Sequence, residues 1–153
     1  MEIRRDDLIG EEAQDLLTRH LQTSALHSPP ESVFALDLDG LRAPEVTFWT
    51  VWQQDILLGC GALKAIAPGH GEIKSMHTCQ RQRGKGVASF MVEFIINEAV
   101  KRHYQRLSLE TGSMAAFAPA RRLYQKFGFG ECPPFGDYRL DPHSLFMTLV
   151  LPR

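Results

Sequence analysis

The spacing of apolar residues changes several times along this chain, and each change predicts an element. Glu2 to Arg5 alternates as a short strand does, and Leu8, Leu16, Leu17 and Leu21 then recur as on a helix over roughly residues 10–22. The segment HSPPESVFALDLDGLRAP breaks that rhythm with Pro29, Pro30 and Pro44 around Val33, Phe34, Leu36 and Leu38, which predicts a structured loop with a short helix. From Val46 the period shortens to two. VTFWTVWQ, ILLGCGALKAI and EIKSMHT, parted by turns at Gln54-Asp55 and at PGHG, read as three successive antiparallel strands. Beyond Gly84 and Gly86, residues Val87, Phe90, Met91, Phe94 and Ile95 lie on one helical face that continues to about Arg102. RLSLET, around Leu107 and Leu109, is a further strand. Ala120, Leu123, Tyr124 and Phe127 share a face of a second helix, with Pro119 near its start and Gly128 just past its end. Two closing strands are expected, around Gly136 to Leu140 and around Ser144 to Leu151.

Composition narrows the class. A length of 153 residues fits one domain, so residues 1–153 are read as a single unit. With 44% hydrophobic and 23% charged residues, the chain can bury enough apolar surface to offset the entropy of ordering it. The net charge of -1 supplies no overall field for nucleic acid or an acidic membrane, so neither partner is expected and any anion site must be local. The opening MEIRRDDLIG is too charged for a secretory signal, and no run approaches the roughly 18 apolar residues of a membrane span. A cytoplasmic location is the expectation. Cys60, Cys79 and Cys132 are scattered without a CxxC pair, which fits reduced thiols. His77 and Cys79 lie two apart with no second pair of ligands, so no metal is expected.

One short segment concentrates chemistry. In QRQRGKGVA, between a strand and a helix, Gly84 and Gly86 permit backbone angles that let successive N–H groups converge on one concavity. The helix that begins there adds unpaired N–H donors and the positive end of its dipole, a combination suited to a pyrophosphate. Arg81, Arg83 and Lys85 add charge at the same place. A nucleotide-binding GxxxxGK[ST] loop does not fit, because Val87 follows Lys85-Gly86 without the required spacing. A dinucleotide GxGxxG does not fit either, because the third glycine position is Ser89. Three basic residues without interleaved aromatics make a poor RNA-binding patch. A solvated helix start punctuated by glycine is the plain alternative.

With these residues in view, the chain resembles the GNAT superfamily of acetyl-coenzyme A-dependent N-acetyltransferases over nearly its whole length. The superfamily's motif, Arg or Gln, two residues, Gly, one residue, then Gly or Ala, is matched by Arg81-Gln82-Arg83-Gly84-Lys85-Gly86. EIKSMHT looks like the strand before that loop, and ARRLYQKFGF like the late helix and the strand that follows. The resemblance implies an α/β (α+β) fold: a mixed, mostly antiparallel twisted sheet of about six or seven strands flanked by helices, its fourth and fifth strands splayed apart. It implies acetyl-coenzyme A as cosubstrate. The pantetheine arm would add along the splayed edge at the backbone of Met76 and Thr78, and the pyrophosphate would rest on Arg83, Gly84, Lys85, Gly86, Val87 and Ala88, with Arg81 nearby. It also implies a small acceptor, such as an amine, acetylated directly in a ternary complex, and it leaves a homodimer open.

Acetyl transfer to an amine needs removal of the ammonium proton and a proton for the departing thiolate. Tyr124 matches the superfamily's tyrosine near the coenzyme sulfur, although a tyrosine on an amphipathic helix is as often a core residue. Glu72, at the start of the fourth strand, and Glu110, at the end of the fifth, compete for the base role, against the alternative that both are strand-end glutamates. His77 has a suitable ordinary pKa but alternates with Met76 and therefore faces the other side. Many relatives carry asparagine seven residues before the tyrosine. Here that position is Phe117, so the asparagine's polar contact is either absent or supplied by Ser113. Two other readings remain: a non-catalytic acyl-coenzyme A sensor, and O-acetyl transfer. Gly84→Glu would put a carboxylate into the anion nest and oppose the diphosphate, so calorimetry should show weakened coenzyme A binding. Unchanged affinity would move the cofactor site elsewhere.

Overall fold

The computed structural model describes residues 1–27 and 37–152. The chain opens with strand β1 (Glu2–Arg5), helix α1 (Glu11–His27) and the one-turn helix α2 (Leu38–Leu41). A meander follows, of β2 (Val46–Gln53), β3 (Ile56–Ala67) and β4 (His70–Thr78), and then helix α3 (Val87–Lys101). Strand β5 (Arg106–Gly112), helix α4 (Ala118–Lys126), β6 (Gly130–Cys132) and β7 (Ser144–Val150) complete the chain. The strands form one sheet in the order β1-β2-β3-β4-β5-β7-β6, antiparallel throughout except for the β4–β5 pair.

Period-two alternation sends the strands' apolar residues to two covered faces. On one, Ile73, Leu107, Leu109, Met147 and Leu149 meet the buried stripe of α3, which includes Met91, Ile95 and Ile96. On the other, Val46, Phe48, Cys60 and Ala62 meet Leu8, Leu16, Leu17 and Leu41 from α1, α2 and the turn before α1. Each fully buried Leu or Ile contributes about 1.5–3 kcal/mol of transfer free energy, so both helical layers are fastened to the sheet by burial. Gly61 lets the first layer approach, since a Cβ there would stand 2.8 Å from both Met76 Sδ and Met91 Cγ.

The sheet forks between β4 and β5, the only parallel pair among the described residues. β4 and β5 pair from His70↔Arg106 to Ile73↔Leu109 and no further. Past that point each follows its outer neighbour, β4 staying with β3 to Thr78↔Gly59 and β5 with β7 to Gly112↔Ser144. The β3–β4 register slips between Cys60 and Ala62, opposite Ser75, whose φ of 56° lies in the left-handed region. A bulge of this kind bends its strand, and here it bends β4 at the fork.

Two sequence expectations change. Residues Gly136 to Leu140 form no strand: Gly136 and Asp137 make a turn, and the additional strand is β6, outside β7 at the sheet edge. Pro133, Pro134 and Pro142 lack backbone donors around that stretch, and Gly136 has a φ of 56°, so the chain there cannot join a ladder. Helix α1 also runs beyond residue 22 to His27, since nothing breaks it before Ser28-Pro29-Pro30. The short helix expected in the following loop is α2, capped by Asp37, whose side chain accepts from the Gly40 N–H at 2.9 Å. Val33, Phe34 and Leu36 of that loop lie outside the described residues.

Candidate active site

The glycine loop leads directly into α3. Gly84 and Gly86 have φ values of 79° and 80°, so both occupy the left-handed region that favours glycine. A Cβ at either would meet nothing within 4 Å, so backbone angle is the constraint here and space is not. Gly86 caps α3 and accepts from the Phe90 N–H at 3.0 Å, leaving the N–H groups of Val87, Ala88 and Ser89 without helical partners. A cavity of about 530 Å³ begins at Gly84, Gly86, Val87 and Ala88, passes the β4 edge at Met76 and Thr78, and ends against Tyr124. Arg83 lines it. Arg81 instead faces an adjoining depression with Arg19, and exposed Lys85 reaches back to Gln82 Oε1 at 2.7 Å.

The β4 edge has a definite polarity. Cys79 donates its N–H to Leu58 C=O on the β3 side at 2.8 Å. Backbone groups alternate direction along a strand, so the N–H and C=O of Thr78, and then of Met76, face the unpaired side where β5 has departed. The Ser75 hydroxyl, in the bulge, is buried with no hydrogen-bond partner among the described residues.

Tyr124 is held from two directions. Arg121, one turn earlier on α4, donates to Gly112 C=O at 2.8 Å and Met114 C=O at 2.9 Å, clamping the helix to the end of β5. The Tyr124 ring packs edge-on against Phe129 and is 6% exposed. Burial pushes its phenol above the usual tyrosine range, and the charge of Glu110 pushes it further.

The two candidate glutamates stand in different surroundings. Glu72 is 3% exposed, and its Oε2 accepts from Tyr138 O–H at 2.6 Å and from Lys74 Nζ at 3.3 Å. Lys74 Nζ also donates to Tyr138 Oη at 2.9 Å, which closes a ring of three hydrogen bonds. Glu110 lies one residue past the last β4–β5 pair, and burial raises its carboxyl from the ordinary value to about 7. The Lys74 ammonium opposes that rise, while Glu72 and Asp141 add to it. The hydroxyl of Ser113 is committed to Pro142 C=O at 2.7 Å, away from the cavity. Phe117 lines the cavity as an apolar wall.

The sequence profile of the acetyltransferase (GNAT) family matches residues 11–129. The chain belongs to that family. It is 56% identical over 151 residues to the uncharacterized N-acetyltransferase YsnE of Bacillus subtilis (strain 168), covering 99% of this chain and 100% of that one. It is 48% identical to the uncharacterized N-acetyltransferase YedL of Escherichia coli (strain K12), covering 97% and 94%. Among solved structures, a Bacillus subtilis acetyltransferase in complex with CoA shares the fold at a TM-score of 0.73 and 21% identity, with 98% of each chain covered. This GNAT member is thus an acyltransferase of the N-acetyltransferase type. Among the described residues no helix is long and apolar enough to cross a membrane.

Sequence reasoning on this acetyltransferase missed Arg121 and the segment from Pro133 to His143. Arg121 stands three residues before Tyr124, a spacing that puts the two on one helix face, and that was the available signal. Tyr138 reaches Glu72 across 66 positions, and no local pattern marks such a contact. A third feature is the pair His20 and His77, whose Nδ1 atoms lie 3.2 Å apart on the α1 side of the cavity. Burial lowers both to about 4; the charge of His77 adds to this for His20, and those of Arg83 and Arg19 do so for His77. Their folded values lie below the unfolded value of 6.5, so the unfolded chain binds more protons between the two, and stability falls as pH drops from about 6.5 toward 4. A His20→Gln/His77→Gln variant should therefore show less loss of urea midpoint than wild type between about pH 6.5 and pH 5. Equal losses would mean that the pair does not titrate as placed.

Proposed function

We propose that this N-acetyltransferase binds acetyl-coenzyme A in the forked cavity and transfers the acetyl group directly to a small acceptor amine in a ternary complex. One observation supports the reading above the others: a single cavity joins the glycine loop, the unpaired β4 edge and Tyr124. A diphosphate suits the convergent N–H groups at Gly84 to Ala88, with Arg83 beside them. An amide-bearing pantetheine suits the exposed strand edge at Met76 and Thr78, which offers backbone groups as a missing strand would. The CoA complex of the structurally similar Bacillus subtilis acetyltransferase agrees with a coenzyme A ligand.

In the proposed reaction Glu110 accepts the proton of the acceptor ammonium, the neutral amine attacks the thioester carbonyl, a C–N bond forms, the C–S bond breaks, and the surplus proton on the acylated nitrogen passes through solvent to the Tyr124 phenolate left when the phenol protonates the sulfur. Tyr124 gives its phenolic proton to the leaving sulfur. Glu110 suits the base role because its carboxyl titrates at about 7, where a base is both ionised and effective. Glu72 suits it less, since its carboxylate is buried and already accepts from Tyr138 and Lys74. The two steps assist each other. Burial keeps the Tyr124 phenol high throughout, but once Glu110 is protonated its charge no longer adds to that effect, and the phenol becomes a better acid as the thiolate departs.

The direct test incubates the protein with acetyl-coenzyme A and a panel of amines, amino acids and peptide N-termini, and follows coenzyme A release and product mass. Turnover with amide product supports the proposal; binding without turnover on any acceptor supports a sensor, and an ester product an O-acetyltransferase. Tyr124→Phe keeps the ring but removes the donor, so single-turnover rates should fall by about 100-fold to 10,000-fold with coenzyme A affinity little changed. A wild-type rate would make Tyr124 a packing residue. Glu110→Gln should lose the acid limb of the pH–rate profile near 7 yet gain stability. Glu110's folded value, about 7, exceeds the unfolded 4.5, so its contribution to stability is present below 4.5 and lost as pH rises through 7. Removing the charge should therefore raise stability above pH 7 by about 1–3 kcal/mol in urea unfolding, a sign opposite to that of most substitutions. A variant that keeps the acid limb would take the base role from Glu110.

A further inference from the structure

The fork places two opposite charges at its base. Ile73↔Leu109 is the last β4–β5 pair, so Lys74 and Glu110 are the first residues on each side that continue without a partner across the gap. They share a face. Glu72 is in register with Ser108, and parallel strands carry registered side chains on the same side, so Glu72, Lys74, Ser108 and Glu110 all project away from the Ile73 and Leu109 core. The same face carries the polar row of His70 Nε2, Ser108 Oγ and Thr148 Oγ1, linked at 2.7 and 2.9 Å.

We infer that Lys74 is a positioning residue for the transfer reaction: fixed by Glu72 and Tyr138, its ammonium keeps the neighbouring Glu110 carboxyl able to ionise and so to act as base. This rests on the role proposed for Glu110. The lysine is unusually well held for a flexible side chain. It is 9% exposed, bonds to both Glu72 Oε2 and Tyr138 Oη, and lies 5.5 Å from the centre of the Tyr138 ring. Tyr138 is held in turn by Phe135 and Phe146, whose ring centroids are 5.2 and 5.4 Å from its own. The segment from Pro133 to His143 thus acts as a strap that presses Tyr138 onto β4.

The charges that act on Glu110 explain why the lysine is needed. Burial opposes its ionisation, as do Glu72 from β4 and Asp141 from the strap, while Lys74 favours it. Tyr124 from α4 and Tyr138 from the strap are neutral phenols, and Arg121 is spent on the Gly112 and Met114 carbonyls. Without Lys74, Glu110 would face two carboxylates in a poorly solvated site and would stay protonated at neutral pH. Glu72 therefore has a double effect: it anchors the ammonium and partly cancels it.

That double effect supplies a test needing neither the acceptor nor activity. The carboxyl carbon of Glu110 is followed by NMR titration in the carbon-13-labelled protein and assigned by its loss in Glu110→Gln. In wild type the midpoint should lie near 7. Lys74→Met should move it up, and Glu72→Gln, which leaves the ammonium without its competing carboxylate, should move it down, each by about one pH unit, a tenfold change in ionised fraction at fixed pH. Lys74→Arg should hold it near the wild-type value. Shifts of opposite sign are a signature that loosened packing does not produce. If Lys74→Met does not fold, Glu72→Gln, which preserves shape, decides by itself. A midpoint unmoved by the folded variants, or moved the same way by both, overturns the inference. Opposite shifts in the titration with full activity in Glu110→Gln would instead leave the electrostatic coupling intact and remove the base role.

Discussion

Loss of pairing between β4 and β5 beyond Ile73 and Leu109 is the constraint on which the rest of the site depends. Buried backbone groups require partners, so an unpaired strand edge inside a sheet is costly unless water or a ligand satisfies it. Here the edge is held open because each strand is fastened elsewhere: β4 to β3 with a bulge at Ser75, β5 to β7 along its full length. The open edge makes the cavity, and α3 and α4 close it at its two ends. The glycine loop presents N–H donors at one end and Tyr124 stands at the other, so the proposed cofactor site and the proposed proton donor share one structural cause.

The fork also divides the chemistry between two faces. On the side of α3 and α4 lies the apolar core with Tyr124, where burial holds the phenol in its protonated form. The other side carries the polar row of β4, β5 and β7, with Glu110 at the gap and the Tyr138 strap across it. In the proposed mechanism the acceptor's proton leaves on this polar face and the thiolate's proton arrives from the other. Raising a carboxyl to about 7 makes it a better base and lowers stability when it ionises, the cost typical of groups arranged for reaction.

Much of the fold was legible in the sequence. The three strands of the meander and the two amphipathic helices follow local periodicity, and Gly84, Gly86 and the charges beside them mark a candidate anion loop through backbone freedom and helix-end donors. What escaped depended on distant partners. Residues 136–140 have strand-like side chains, yet the surrounding prolines make them a strap whose purpose is visible only when Tyr138 meets Glu72. Glu72 and Glu110 look alike as strand glutamates. They differ because Lys74 and Tyr138 occupy the first while desolvation governs the second, and both effects arise from tertiary packing. Bulge and fork are likewise settled by competition among strands, which no single segment encodes.

In the proposed complex coenzyme A completes the sheet at the β4 edge. Amide hydrogen exchange, read residue by residue with and without coenzyme A, tests it most directly. Ligand is expected to slow exchange at Met76 and Thr78 together with the loop amides from Gly84 to Ala88, while the N–H of Cys79, already bonded to Leu58, changes little. Protection confined to other parts of the chain, with Met76 and Thr78 exchanging as fast as in the free protein, would contradict it.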